Sequence, residues 1–198
     1  MAAMDADSWD RRYAETDLVW SADPNRFVAQ ELAALPPGSA VDLAAGEGRN
    51  ALWLADLGWR VTAVDFSAVA LDKGRRIARA RDLAIEWVHA DLADYQPPTA
   101  DLVLIAYLHV PPALWQPVLR RAVAAVAPGG TLLLVGHDET NLTEGTGGPQ
   151  DLERLWSLDG VLATLDDLVV RRAERARRPV AGQRDAIDTV VRAERPAA

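Results

Sequence analysis

The stretch VDLAAGEGRNA at residues 41–51 is followed, fourteen residues after Ala51, by the acid that ends the apolar run VTAVD at Asp65. This pairing constrains the chain more than any other feature. An apolar strand must run into a tight small-residue turn, a helix must start at once, and a carboxylate must wait at the end of the next strand. Small residues let a ligand approach the backbone, a helix N-terminus offers free N–H groups, and a carboxylate accepts two ribose hydroxyls. An adenosine-containing cofactor satisfies all three. The spacing Gly46, Gly48, Ala51 also fits the GxGxxA of nicotinamide-binding turns, so the turn by itself admits two cofactors.

The remaining apolar runs predict an α/β fold, because strand-length segments alternate with helical ones. Strands are expected near 40–44, 61–65, 85–89, 101–106 and 131–136, the last two reading as continuously buried. Helices are expected at 49–57, 68–81 and 112–126, with Ser67 capping the second and Pro128-Gly129-Gly130 ending the third. Before the sheet, residues 25–35 place Phe27, Val28 and Leu32 on one helical face. After it comes a polar, glycine-rich segment at 139–150 with the composition of a lid loop, then a helical stretch at 151–163. Two β-type runs, 167–176 and 185–195, read as an antiparallel pair. The expected organisation is one domain: a helical cap over 1–37, a cofactor-binding core over 38–136, and a lid loop with terminal hairpin over 137–198.

Composition removes several function classes. A net charge of −8, from 29 acids and 21 bases, leaves no basic excess for a nucleic-acid backbone. No apolar run is long enough to span a membrane, and the N-terminus lacks the apolar core of a signal peptide, so the expected location is the cytoplasm. The chain has no cysteine and only three histidines, which predicts neither thiolate chemistry nor a metal centre. The expected partner is a small molecule, with the oligomeric state left open.

Taken in order, these residues resemble the class I S-adenosylmethionine-dependent methyltransferases. That family combines five parallel strands with a terminal hairpin that places one strand antiparallel in a seven-stranded, Rossmann-like sheet. Its signatures are matched by Asp42 with Gly46 and Gly48, by Asp65, by HADL at 89–92 and by APGGTLLL at 127–134. The chain departs from the glycine pattern at Ala44. GEGRN at 46–50 and SWDRRYAETDLVWSADPNRF at 8–27 are similar to the tellurite-resistance and thiopurine methyltransferase group.

The resemblance implies S-adenosylmethionine as methyl donor and S-adenosylhomocysteine as product, with methyl passing in line to an acceptor such as a thiol, an oxyanion or a metalloid like tellurite. Asp42 would serve the cofactor's ammonium and Arg49 its carboxylate, beside Ala44, Gly46, Gly48 and Asn50. Asp65, with Phe66 and Ser67, would hold the ribose, Asp91 and Leu92 the adenine, and Ala106 would line the cofactor at the end of the fourth strand. Trp9, Arg12 and Trp20 are candidates for a cap on the cofactor, and Tyr13 for the acceptor side. Tyr107 and His109 follow the fourth strand, where the crevice of an open α/β sheet lies, and are the catalytic candidates, His109 as general base. His137, Arg178 and Arg184 are the further acceptor-side candidates, because arginines crowd the hairpin of an otherwise acidic chain. The alternatives are an NAD(P)-dependent oxidoreductase and a non-catalytic S-adenosylmethionine-binding protein.

Overall fold

The computed structural model describes residues 6–19, 23–165 and 167–197. Trp20, one of the cap candidates, lies outside them. Seven strands form one sheet in the order β3-β2-β1-β4-β5-β7-β6. They are β1 (Ser39–Leu43), β2 (Arg60–Asp65), β3 (Ile85–His89), β4 (Ala100–Ala106), β5 (Val126–His137), β6 (Val169–Arg178) and β7 (Ala186–Glu194). The first five run parallel, and β7 inserts antiparallel between β5 and the edge strand β6. The expected Rossmann-like sheet with a terminal hairpin is the one observed.

Side-chain alternation divides the core into two layers. Val41, Leu43, Val103, Ile105, Leu132 and Leu134 face α5 (Pro112–Ala125), Trp156 and α7 (Leu158–Leu162). Ala40, Leu102, Leu104, Leu133 and Val135 face α2 (Arg26–Leu32) and α3 (Arg49–Asp56). Because both faces are covered, β4 and β5 read in the sequence as unbroken apolar runs. Helix starts follow local chemistry. Asn25 Oδ1 accepts from the Phe27 and Val28 N–H groups at α2, and Ser67 Oγ accepts from Ala70 N–H at 3.1 Å to start α4 (Ala68–Ala80). α1 (Ala6–Ala14) packs on α4.

Three expectations need correcting. Pro128-Gly129-Gly130 does not end α5, which stops at Ala125: β5 starts at Val126 and carries these residues as an irregularity, its pairing with β4 jumping from Ala100/Val126 to Leu102/Thr131. Backbone bonds absorb the bulge, Gly129 N–H donating to Arg195 O at 3.0 Å. Nor are residues 139–150 a plain loop. They contain the short helix α6 (Asn141–Glu144), and the Asn141 side chain ties the segment down, donating to Gly147 O and accepting from Ile187 N–H. The helix expected at 151–163 is split into a 3-10 turn, Leu152–Arg154, and α7.

Strand order reverses between β1 and β4, so their C-terminal ends open side by side, with Leu43 in register with Ile105. That is where an open α/β sheet has its crevice. The backbone there is left-handed at Ala44 (φ 62°), Gly46 (φ 57°) and Gly48 (φ 77°) on one side and at Tyr107 (φ 62°) on the other. Alanine in this region costs about 1 kcal/mol relative to a right-handed conformation. Ala44→Gly should therefore raise the melting temperature by about 2–4 °C; calorimetry showing a fall would contradict the strain assigned to the turn.

Candidate functional site

The turn after β1 brings a buried acid against an uncapped helix. Asp42 is 1% exposed, and neither of its carboxylate oxygens meets a hydrogen-bond donor among the described residues. Burial, reinforced by Asp65, raises its pKa to about 7; Arg49 and the Ala51 N–H, the latter short of hydrogen-bond geometry, act in the opposite sense. Gly48 caps α3 through a left-handed backbone and supplies no side-chain cap, so the first N–H groups of α3 have no side chain capping them. Glycine is required at 48 on a second count, since a Cβ would lie 2.4 Å from the Trp87 ring.

Asp65 ends β2 at the same turn. Its Oδ2 accepts from Gly46 N–H and its Oδ1 from Ser67 N–H, both at 2.8 Å. Each oxygen keeps a lone pair for a further donor. Burial pushes this carboxyl above its ordinary value, against the pull of the two N–H groups. Beyond it lies a cleft of about 110 Å³ lined by Ala44, Asp65, Phe66, Asp91, Leu92 and Leu108 among others. Asp91 is exposed there and accepts from Ala93 N–H at 2.8 Å.

A strap from α1 to Val19 crosses the turn. Tyr13 is buried with its hydroxyl over Gly46, where a Cβ would come within 2.8 Å of it, and it stacks on Trp9, over which Arg12 lies 5.1 Å from the ring centre. Tyr13, expected in the cap and on the acceptor side, sits over the Gly46 turn beside Trp9. Polar groups that the sequence reading missed pin the strap. Lys73, the chain's only lysine, is buried and donates to the carbonyls of Tyr13 and Thr16 and to Glu47 Oε1 at 3.0 Å. Glu47 accepts from Val19 N–H, and Asp10 accepts from Ser67 Oγ. A solitary lysine in an arginine-rich chain, next to the glutamate of GEGRN, was the signal available.

Across the crevice, Tyr107, His109 and His137 form a ring cluster. The two imidazoles stack with centroids 5.2 Å apart, and the phenol lies 5.0 Å from His137. At its centre is Asp188, fully buried and absent from the sequence reading. Its Oδ2 accepts from Tyr107 Oη at 3.1 Å and Arg178 Nε at 2.8 Å, and its Oδ1 lies 3.0 Å from His137 Nδ1. Burial would raise Asp188, but His137 and Arg178 outweigh it and hold the carboxyl below its ordinary value. Burial and Asp188 push the Tyr107 phenol up to about 12. Asn25, also missed, donates to that hydroxyl at 3.2 Å. The Arg49 guanidinium lies 6.0 Å from the Tyr107 ring centre and links the two halves of the crevice.

Arg184 does not join this cluster. It is exposed and donates to Thr143 O at 3.2 Å, because the β6–β7 turn carries it toward α6. The other hairpin arginines face acids, which the one-dimensional charge count could not show. Among the described residues no three His, Asp or Glu are grouped as a metal site, and no helix is long and apolar enough to cross a membrane.

Residues 40–130 match the family described as a methyltransferase domain. No curated protein matches the sequence. Among solved structures, TehB from Haemophilus influenzae superposes with a TM-score of 0.76 at 15% identity, covering 96% of this chain and 66% of that one, so this chain spans just under two thirds of TehB. The N-methyltransferase NodS from Bradyrhizobium japonicum WM9, in complex with S-adenosyl-L-homocysteine, superposes at 0.75 and 17% identity, covering 96% and 98%. Magnesium protoporphyrin IX methyltransferase from Synechocystis PCC 6803, with bound S-adenosylmethionine, gives 0.66 and 15%, covering 96% and 79%.

The orphaned carboxyl of Asp42 has a consequence for stability. With a pKa near 7 when folded and 3.8 as its ordinary value, the folded state keeps a proton that the unfolded state loses. Stability is whole below pH 3.8, falls as pH rises between the two values, and levels off above the upper one, a loss on the order of 4 kcal/mol. Asp42→Asn should accordingly stabilise the ligand-free protein at about pH 8 and leave it unchanged near pH 4. Equal effects at both pH values in urea denaturation would show that Asp42 is charged throughout.

Proposed function

We propose that this chain, whose residues 40–130 match a methyltransferase domain and whose sheet has the class I strand order, is an S-adenosylmethionine-dependent methyltransferase that passes methyl to a small-molecule acceptor held at the Tyr107–His109–His137 cluster. The observation that carries the reading is Asp42. A fully buried carboxylate without a hydrogen-bond donor is costly, and a cofactor ammonium supplies the missing partner. The N–H groups of α3 that no side chain caps and the Arg49 side chain suit a carboxylate on the same ligand. Two hydroxyls of a ribose fit the unused lone pairs of Asp65, and an adenine ring fits between Phe66, Leu92 and Leu108, with Asp91 at its edge.

When bound, such a cofactor supplies an electrophilic methyl group on a positive sulfur. The chain's own residues position reactants rather than react. The strap from α1 covers the turn and keeps water from it, with Lys73 and Glu47 as its anchors. Tyr107 keeps its proton, because Asp188 accepts it and burial opposes ionisation, so it presents a ring face to the acceptor and is not a base. A nicotinamide oxidoreductase is not favoured: the matched domain is a methyltransferase, and the antiparallel β7 sits where nicotinamide-binding sheets continue with parallel strands.

S-adenosylhomocysteine should raise the melting temperature of the protein and NAD should not. Asp65→Ala should weaken S-adenosylhomocysteine binding at least ~tenfold, since it removes two hydrogen bonds to a charged acceptor, each worth about 1.5–3 kcal/mol. Stabilisation by NAD alone, or an unchanged dissociation constant by calorimetry, would remove the basis for these assignments.

A further inference from the structure

The acceptor half of the crevice supports a narrower substrate class, which rests on the methyltransferase reading above. Charge is the first consideration. The arginines around the hairpin already face acids: Arg171 lies 2.8 Å from Glu194, Arg175 3.1 Å from Asp138, Arg177 3.7 Å from Glu144 and Arg178 2.8 Å from Asp188, while Arg172 pairs with Glu31 and Glu174. An oxyanion placed on Arg178 would lie against the buried Asp188 carboxylate, and like charges repel strongly where water is excluded. The pocket wall is therefore balanced in charge, not basic.

The second consideration is a lone pair. His109 Nδ1 lies 2.9 Å from the Arg154 carbonyl, and a carbonyl can only accept, so Nδ1 carries the ring proton. That leaves Nε2 unprotonated, buried and without a hydrogen-bond partner among the described residues. Its chain neighbours Leu108 and Val110 both line the cleft beside Asp65, while the His109 ring turns to the other side and stacks on His137. Tyr107 and the stacked His137 hold the ring from two sides, and Gly148 presses on His137 so closely that a Cβ would come within 2.5 Å of it. A fixed, neutral imidazole with one unused acceptor is suited to an X–H donor and to nothing anionic.

We propose that His109 Nε2 accepts the hydrogen of a neutral amine, phenol or thiol, which makes the methyl acceptor an X–H nucleophile and excludes oxyanions. The hydrogen bond aims the lone pair of X at the methyl carbon. As the X–C bond forms, the C–S electron pair stays with sulfur, and the proton released by the methylated acceptor leaves through Nε2 to water. Burial and His137 bring His109 down to about 4, so the ring is neutral at physiological pH and returns that proton readily. The ionisable groups facing it are Tyr107, His137 and Asp188.

Nitrogen-15 NMR of the full chain loaded with S-adenosylhomocysteine tests the tautomer. His109 should show a protonated Nδ1 and a bare Nε2 from pH 8 to about pH 5; a proton on Nε2, or a charged ring at pH 6, overturns the proposal. Turnover is then read as S-adenosylhomocysteine release with a phenol, an aryl amine and an alkyl thiol, against sodium selenite and sodium tellurite. At least one X–H probe should react and neither oxyanion should. His109→Phe should lower kcat/KM for the reactive probe about a hundredfold, whereas His109→Gln, which keeps an acceptor near Nε2, should recover most of it. Reaction with an oxyanion, no reaction with any X–H probe, or equal rates for wild type and His109→Phe would each overturn it. Both variants should bind S-adenosylhomocysteine as wild type does. Failure of wild type to bind it would overturn the methyltransferase reading itself and the inference with it.

Discussion

Asp42 is the constraint around which the C-terminal edge of this sheet is arranged. A carboxyl group has been placed at a buried strand end, beside a second buried acid, with no hydrogen-bond donor among the described residues to satisfy it. A chain optimised for stability alone would place an apolar residue there. The neighbouring compromises share its location: alanine in a left-handed turn at 44, an α3 start without a side-chain cap, and left-handed tyrosine at 107. Backbone strain and unsatisfied polar groups gathered at one crevice mark a site whose missing partner is a ligand.

The two halves of the crevice are built on opposite principles. On the cofactor side, donors and acceptors are left unfilled: Asp42, the α3 N–H groups and the spare lone pairs of Asp65. On the acceptor side, polar groups satisfy one another. Asp188 draws together Tyr107, His137 and Arg178, and Asp138 collects Thr140, Thr189 and Arg175. Among the described residues His109 Nε2 lies in this wall without a hydrogen-bond partner, while Asp188 Oδ1 faces His137 Nδ1 at 3.0 Å. The proposed cofactor would occupy the first half, and the proposed neutral acceptor the second.

The sheet was legible because each central strand is buried on both faces and announces itself as an apolar run, so strands at 85–89 and helix starts at Arg49 and Ala68 coincide with their predicted positions. The turn from Ala44 to Gly48 and the acid that ends β2 were legible because glycines and acids have local backbone reasons for their spacing. The acceptor half was only partly so. Tyr107, His109, His137 and Arg178 converge as their strand-end positions suggested. Asp188, Asn25 and Lys73 could not be anticipated, since their roles depend on which strands and helices become neighbours more than twenty residues away. Arg184 and Tyr13 went elsewhere for the same reason: side-chain reach around a turn or helix is not encoded in spacing.

A crystal structure of the protein with S-adenosylhomocysteine tests the central claim most directly. The account predicts the ligand's ammonium within hydrogen-bonding distance of Asp42, its ribose hydroxyls on Asp65 and its adenine between Phe66 and Leu92. Density for the ligand outside this crevice, or a bound ligand that leaves the Asp42 carboxylate still without a donor, would contradict it.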